Sequence, residues 1–179
     1  MANPEQEIPI EFTLKPDLLD RINRALKELG SSAKYKKAPK YKPGFEHLRD
    51  KTVVIIDDVY GVLEGFIPEM MVASNGNADF IHFTNQSKEE LVRQIMEKNP
   101  DIVFLDYNLS DELKGSAIAK QLKSEGFGGD VIGFSSDPGT SRDFQNAGAR
   151  ACLNKDINDF AGQLEKSPEA FAPRDINNQ

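Results

Sequence analysis

Cysteine is almost absent from this chain of 179 residues, which contains only Cys152. A single cysteine can form neither an internal disulfide nor a thiolate metal cluster, and this fits a reducing compartment. The first residues show no charged-then-apolar signal pattern, and no apolar run approaches the length needed to span a bilayer. We therefore expect a soluble, cytoplasmic protein without a membrane partner.

A basic excess is also missing, since the net charge is −7. Nucleic-acid-binding proteins usually carry such an excess, so general nucleic-acid binding is not expected. The charge is uneven, because residues 1–50 hold ten basic and eight acidic side chains and residues 51–179 hold twelve and twenty-one. The acidic part is where a cation would bind most favourably.

The first fifty residues are predicted to form an extension of the main domain. Residues 17–29 place large aliphatic side chains on one stripe and stop at Gly30, a pattern typical of one amphipathic helix. Residues 31–44 hold five lysines and no acid, which indicates an extended tether. We expect the helix to dock on the main domain or on a partner, because its apolar stripe favours burial.

Residues 51–165 alternate short apolar runs with amphipathic stretches, and a polar tail follows at 166–179. The apolar runs are VVII at 53–56, FIHF at 80–83, IVFL at 102–105, VIGF at 131–134 and ACLN at 151–154. Such short, mostly unalternating runs are typical of strands buried on both faces. Helices between them predict an α/β fold with a parallel sheet covered on both sides. Pro68 is expected to begin, kink or break any helix between residues 60 and 78.

Polar side chains follow these runs where each predicted strand ends. They are Asp57 and Asp58 after the first run, Asp106 after the third, Ser135 and Ser136 after the fourth, and Lys155 after the fifth. Carboxyl ends of parallel strands share one edge, which is where open α/β sheets bind ligands. We therefore expect three carboxylates, a hydroxyl pair and a lysine to meet in one shallow cleft.

A cluster of carboxylates favours a bound cation, because neighbouring carboxylates disfavour each other's ionised forms. Oxygen ligands without cysteine or histidine indicate Mg²⁺ or Mn²⁺. Such an ion would help align a phosphate with a carboxylate nucleophile, while Lys155 and Ser135 would contact phosphoryl oxygens. Each residue also has a structural interpretation, since aspartates at strand ends often form turns or cap helices. The set in this order favours a phosphoryl-accepting site.

Residues 51–165 resemble the receiver domains of bacterial two-component response regulators. The resemblance rests on VVIIDD at 53–58, PDIVFLDYNLSD at 100–111, the glycine at 115, VIGFSS at 131–136 and GARACLNK at 148–155. It implies a flavodoxin-like fold with strand order 2-1-3-4-5. It also implies that a sensor histidine kinase or histidine phosphotransfer protein phosphorylates the acceptor, here Asp106.

The resemblance also assigns roles to individual residues. Mg²⁺ would be bound by Asp58, Asp106 and the backbone carbonyl of Asn108, with Asp57 acting through water. Phosphorylation would draw Ser135 inward and change the surface of the family's fourth helix, fifth strand and fifth helix. No separate enzymatic turnover is implied beyond self-catalysed phosphotransfer and autodephosphorylation, and signalling would use protein contacts with a downstream target.

Some positions differ from the family pattern. The loop after Asp106 is one residue longer and lacks its usual proline, and Asp156 replaces the proline that usually follows the lysine. Cys152 stands where the family often has an aromatic switch residue, so the read-out is expected to be atypical. Asn108 and Asp137 occupy the positions that influence phosphoryl lifetime, and their polar side chains indicate a short-lived aspartyl phosphate.

Alternative functions remain open from the sequence. IIDDVYGVL at 55–63 superficially resembles the nucleophile loop of haloacid-dehalogenase phosphatases, although Tyr60 stands where their second aspartate is needed. The N-terminal segment faintly resembles the strand and first helix of ribbon-helix-helix proteins, which would suit a DNA-binding or adaptor role. A receiver-like domain that is never phosphorylated is a third possibility, and a homodimer is compatible with each of them.

Overall fold

In the computed structural model, which describes residues 13–172, five parallel strands form one sheet with helices on both sides. The strands are β1 (Val53–Asp57), β2 (Ala78–His82), β3 (Ile102–Asp106), β4 (Asp130–Ser135) and β5 (Ala151–Asn154). The helices are α1 (Leu18–Leu29), α2 (Tyr60–Ala73), α3 (Lys88–Lys98), α4 (Gly115–Ser124), α5 (Ser141–Asn146) and α6 (Phe160–Lys166). The strand order is β2-β1-β3-β4-β5, which confirms the predicted flavodoxin-like topology.

The burial of the strands follows their place in the sheet. Every residue of the central strands β1 and β3 is buried. The edge strands β2 and β5 are mostly half-buried, because each has a neighbour on one side only. The expectation of strands buried on both faces is therefore confirmed for β1 and β3 and is wrong for β2 and β5.

Two hydrophobic cores lie on opposite faces of the sheet. Val53 and Ile55 of β1 join the core formed with α1, α2 and α6. Val54 and Ile56 join the other core, formed with α3, α4 and α5. This alternation is the two-residue period of a strand, so each strand contributes to both cores.

Helix α2 runs without interruption through Pro68, so the expectation that the helix begins or breaks there is wrong. Most of the second half of α2 is buried, including Phe66 and Met70. Burial of such large side chains is worth about 2 kcal/mol each and offsets the hydrogen bond that proline cannot donate.

The N-terminal extension packs on the main domain. α1 buries its predicted apolar stripe against α2, within the same core as β1. Residues 31–43 form no helix or strand, yet Tyr35 and Tyr41 also pack against this core. The extended segment is therefore a strap held on the surface of the domain rather than a free tether.

No helix among residues 13–172 is both long and apolar enough to cross a membrane. The polar tail is described only as far as residue 172, and residues 173–179 lie outside the described residues. The start of the proposed ribbon-helix-helix resemblance, at residues 8–12, also lies outside them.

Candidate functional site

The carboxyl ends of β1, β3 and β4, with the residue after β5, surround an open cleft of about 370 Å³. The residues lining it are Asp58, Val59, Asp106, Asn108, Ser135, Ser136, Asp137 and Lys155. These positions become neighbours because the four strands are parallel and in register. Most of the polar residues predicted at the strand ends therefore line one cleft, and Asp57 lies just beneath it.

Three carboxylates form a tight cluster at this cleft. Asp57, Asp58 and Asp106 each offer one oxygen, and these oxygens lie within 4.8 Å of one another. Asp57 is 0% exposed and Asp106 is 2% exposed, whereas Asp58 is accessible to solvent. Three acids at this separation, with a path to solvent, can share a small divalent cation.

Lys155 is the positive charge that balances the buried pair of acids. Its Nζ lies 2.9 Å from Asp57 Oδ2 and 2.9 Å from Asp106 Oδ1. Burial alone lowers the pKa of Lys155, but the hydrogen bonds to the two carboxylates outweigh it and raise that pKa. The lysine is therefore charged and held directly beside the predicted acceptor.

The pKa values of two cluster acids are raised. Burial raises the pKa of Asp57, although the hydrogen bond from Lys155 opposes this. Burial also raises the pKa of Asp58, and the negative charge of Asp106 adds to the effect. Both shifts are those expected of carboxylates withdrawn from water beside another acid.

Asp57 also stabilises the turn into α2. Its Oδ1 accepts the backbone N–H of Val59 at 2.9 Å, while its Oδ2 accepts from Lys155. Val59 is the N-cap of α2, and neither Asp57 nor Asp58 caps that helix. The structural and electrostatic roles of Asp57 thus use different oxygens.

Ser135 and Asp137 form the wall of the cleft after β4. Ser135 is 4% exposed, and its Oγ accepts the backbone N–H of Asp137 at 3.2 Å. The Asp137 carboxylate accepts the backbone N–H of Gly139 at 2.8 Å and caps the short turn at Pro138–Thr140. Ser135 therefore retains a hydroxyl hydrogen to donate, and Asp137 is held at the rim.

Asn108 lies in the loop between β3 and α4, on the cleft. Its side-chain Oδ1 accepts from Lys114 Nζ at 3.0 Å, and Lys114 Nζ also donates to the carbonyl of Ser110 at 3.1 Å. Lys114 was not recognised from the sequence, because nothing in the pattern separates it from a solvated lysine. It closes the longer loop into a compact turn.

Gly115 brings the start of α4 against the acceptor strand. A Cβ at this position would lie 2.0 Å from the carbonyl oxygen of Asp106 and 3.1 Å from Phe144 Cζ. The backbone N–H of Gly115 donates to the carbonyl of Tyr107 at 2.7 Å. Only a residue without a side chain fits here, which fixes the loop beneath Asp106.

Cys152 lies on β5, half-buried, with Sγ 3.9 Å from Thr140 Oγ1. Burial raises the pKa of its thiol.

The aromatic ring of Phe144 packs against β4 at Gly133. A Cβ at Gly133 would lie 2.3 Å from this ring. Tyr107 packs edge-on to Phe144 at 5.7 Å and donates its hydroxyl to Asp143. These aromatic contacts were not predicted, since they depend on the placement of α5.

Beyond Lys155, the haloacid-dehalogenase alternative offers only Asp156 and Asp159 as metal-binding acids, and neither is among the described residues that line this cleft. Tyr60 is the first residue of α2, and its hydroxyl lies 3.5 Å from Glu64. Asp156 accepts the backbone N–H of Asn158, and Asp159 is the N-cap of α6. Among the described residues lining the cleft, no second acid stands two positions after Asp58.

No protein-family model and no curated protein matches this sequence. Solved structures do resemble it. The receiver domain of the histidine kinase CKI1 from Arabidopsis thaliana, complexed with Mg²⁺ and BeF₃⁻, is 23% identical, with 69% of this chain and 95% of that chain covered and a TM-score of 0.51.

Two bacterial structures give similar values. The signal receiver domain of a modulated diguanylate cyclase from Desulfovibrio desulfuricans G20 is 22% identical, over 68% of this chain and 92% of that chain, with a TM-score of 0.52. A LuxR-family two-component response regulator from Aurantimonas sp. SI85-9A1 is 19% identical, over 67% and 83%, with a TM-score of 0.52. This chain therefore has the fold of a response-regulator receiver domain.

Proposed function

We propose that this protein is a phospho-acceptor signalling domain of the response-regulator type, with Asp106 as the acceptor. One observation carries the proposal: three carboxylates lie within 4.8 Å of one another, and Lys155 bridges two of them at an open cleft. A purely structural ion pair would not require the third, solvent-accessible acid. The receiver fold supports the same conclusion.

Asp106 is suited to act as the nucleophile. Its carboxylate is almost fully buried, yet it lines the cleft and is held by Lys155 at 2.9 Å. One carboxylate oxygen would attack the phosphorus of a phosphohistidine, forming a P–O bond as the P–N bond breaks. The imidazole nitrogen keeps the bonding electrons and takes up a proton, and Lys155 faces a phosphoryl oxygen.

The donor set fits Mg²⁺, which favours carboxylates, carbonyl oxygens and water. Asp58, Asp106 and the backbone carbonyl of Asn108 would hold the ion, with Asp57 acting through water. Bound there, Mg²⁺ would neutralise charge on the incoming phosphoryl group. Asp58 is the accessible member of the cluster, so an ion held there could exchange with solvent.

Ser135 and the neighbouring surface are proposed to form the read-out. The Ser135 hydroxyl lines the cleft and can donate a hydrogen bond to a phosphoryl oxygen. Such a bond would pull on the turn after β4 and on α5. The partners would be a histidine kinase or phosphotransfer protein upstream and a protein target downstream, in the cytoplasm.

The test is intact-mass spectrometry after incubation with acetyl phosphate and Mg²⁺. We expect one added phosphoryl group in the wild type, none without Mg²⁺ and none in Asp106→Asn. Asp111→Asn is the matched control, because Asp111 is an exposed acid in the loop after β3 and should leave the adduct intact. Absence of an adduct, together with failure to bind beryllofluoride, would reject the proposal.

A further inference from the structure

A basic groove lies between α1 and the strap that follows it. It encloses about 480 Å³ and is lined by Asp20, Asn23, Arg24, Lys27, Ser31, Ser32, Ala33 and Lys34. Its cations are Arg24, Lys27 and Lys34, and Asp20 is its only acid. Residues 20–40 contain seven basic and two acidic side chains, in a chain of net charge −7.

The charges of this groove are not used to hold the fold together. Arg24, Lys27 and Lys34 are all exposed, and none forms an ion pair within residues 13–172. By contrast, Lys42 at the far end of the strap lies 2.8 Å from Glu69 of α2. Exposed like charges gathered on one face repel one another unless an anion is present.

The groove is nevertheless held in a fixed shape. Asn23 of α1 donates its side-chain amide to the carbonyl of Tyr35 at 3.0 Å and accepts the backbone N–H of Tyr35 at 2.8 Å. Ser31 Oγ accepts the backbone N–H of Ala33 at 2.9 Å. The strap therefore lies along α1, and its lysines are presented from an ordered backbone.

The direction of α1 turns the Ser31 end of the groove towards the phospho-acceptor cleft. The residues before α1 contact the end of α2, where Lys15 N–H donates to Asn75 at 3.0 Å. The end of α1 contacts the beginning of α2, where Ser31 donates to Glu64. The two helices are thus antiparallel, and the groove runs along α1 from Asp20 to its Ser31 end, which lies beside the first turns of α2.

Val59 lies at the edge of the cleft, as the N-cap of α2. It is 49% exposed and is the one strongly exposed large hydrophobic side chain among residues 13–172. The cleft, an exposed apolar side chain and the Ser31 end of the basic groove therefore face the same end of the molecule. A small apolar centre flanked by charge is typical of a protein-docking surface.

We propose that the basic groove docks an acidic face of the protein that delivers the phosphoryl group to Asp106. The inference rests on the proposed function and adds the chemistry of the partner. A donor must bring its phosphohistidine into the cleft, so its surface covers Val59 and extends over the first turn of α2. Acidic side chains there would meet Arg24, Lys27 and Lys34, which speeds association of the correct donor.

The probes are two synthetic phosphohistidine peptides of equal length, one with a run of glutamates beside the phosphohistidine and one with glutamines. Phosphorylation of Asp106 is followed by intact mass at low ionic strength with Mg²⁺. For the wild type we expect the acidic donor to react faster by roughly tenfold, with the advantage shrinking as salt is added. Acetyl phosphate serves as a donor that needs no docking.

The test variant combines Arg24→Glu, Lys27→Glu and Lys34→Glu, which should abolish or reverse the preference for the acidic peptide. The matched control reverses three other exposed cations of the described residues that form no ion pair, as Lys120→Glu, Lys123→Glu and Lys166→Glu. Both variants change the net charge equally, so their rates with acetyl phosphate should agree. A variant with glutamine at the same three positions removes the positive charges without adding negative ones. It should show an intermediate preference, and it replaces the glutamate variant if the glutamates weaken α1.

The outcomes separate this inference from the proposed function. The docking surface alone is overturned if acetyl phosphate phosphorylates the wild type but the wild type shows no preference between the two peptides. It is also overturned if the control variant loses the preference as fully as the groove variant does. Absence of phosphorylation by every donor overturns the proposed function. Groove-dependent binding of duplex DNA or anionic vesicles, without a donor preference, would instead assign the groove to those polyanions and reject the inference.

Discussion

Replacement of Gly115 by alanine would place a methyl group against the backbone of the acceptor residue. The added Cβ would lie 2.0 Å from the Asp106 carbonyl oxygen and 2.9 Å from its carbonyl carbon. These are backbone atoms, so no side chain can rotate away. Phe144 closes the remaining direction at 3.1 Å. The start of α4 and the end of β3 must therefore move apart.

Two effects of opposite sign set the size of the change. Alanine is favoured over glycine within a helix by about 1 kcal/mol. Forcing an extra carbon into a closely packed site costs roughly 1–3 kcal/mol. Because the clash is with backbone, we expect the upper part of that range and a net loss of about 1–2 kcal/mol. Displacement of Asp106 should also slow phosphorylation by acetyl phosphate at least about tenfold.

Urea unfolding followed by far-ultraviolet circular dichroism measures the free energy of unfolding. Gly61→Ala is the matched control, because Gly61 also lies in the first turn of a helix and a Cβ there meets nothing within 4 Å. That control should be as stable as the wild type or more stable. A Gly115→Ala variant that gains stability as the control does would refute the close approach of α4 to Asp106.

Two further variants test electrostatic contacts. Lys155→Met leaves the buried carboxylates of Asp57 and Asp106 without their partner, so the free energy of unfolding should fall by about 3 kcal/mol at neutral pH. Added Mg²⁺ should raise the melting temperature of this variant more than that of the wild type. If Lys155→Met has the same melting temperature as the wild type without Mg²⁺, the ion pairs are contradicted. Asp101 accepts hydrogen bonds from Thr52 N–H and Oγ1 at 2.7 and 2.8 Å, and although burial opposes it, these bonds lower the pKa of Asp101. Asp101→Ala should therefore cost about 1 kcal/mol at neutral pH. A group whose pKa is lowered in the folded state contributes stability that is lost as the pH falls through that pKa. In acid-unfolding curves, the difference in the free energy of unfolding between wild type and Asp101→Ala should therefore shrink below about pH 3.9. If that difference does not change with pH, the charge of Asp101 is not its source.

Much of the fold could be predicted because the local pattern and the tertiary structure agree. The apolar runs at 53–56 and 102–105 form fully buried central strands, and the acids that follow them lie together at one edge of the sheet. That edge is a consequence of parallel pairing alone, so Asp57, Asp106 and Lys155 could be brought together from their order along the chain. The roles of Asp106 and Lys155 in phosphoryl transfer remain predictions.

Other features depend on contacts between distant residues and left no signal in the sequence. Pro68 is tolerated because α2 is buried along much of its length, which overrides the local preference. Phe144 fills the space above Gly133, and neither residue indicates the other by spacing. The sequence predicts an influence of Asp137 on phosphoryl lifetime, but it does not indicate that the Asp137 carboxylate caps a turn. Cys152 lies beside Thr140, a contact that the switch pattern does not contain.

The packing of α1 has a consequence for what counts as one cooperative unit in this protein. Leu18, Ile22 and Leu26 of α1 belong to the same buried cluster as Ile55 of β1 and Phe104 of β3. α1 packs on α2, which belongs to the same cluster, so opening α1 would expose apolar surface of α2 and weaken the core beside the sheet. We therefore expect the smallest part of the chain that folds with a closed core to include α1 as well as the five-stranded sheet.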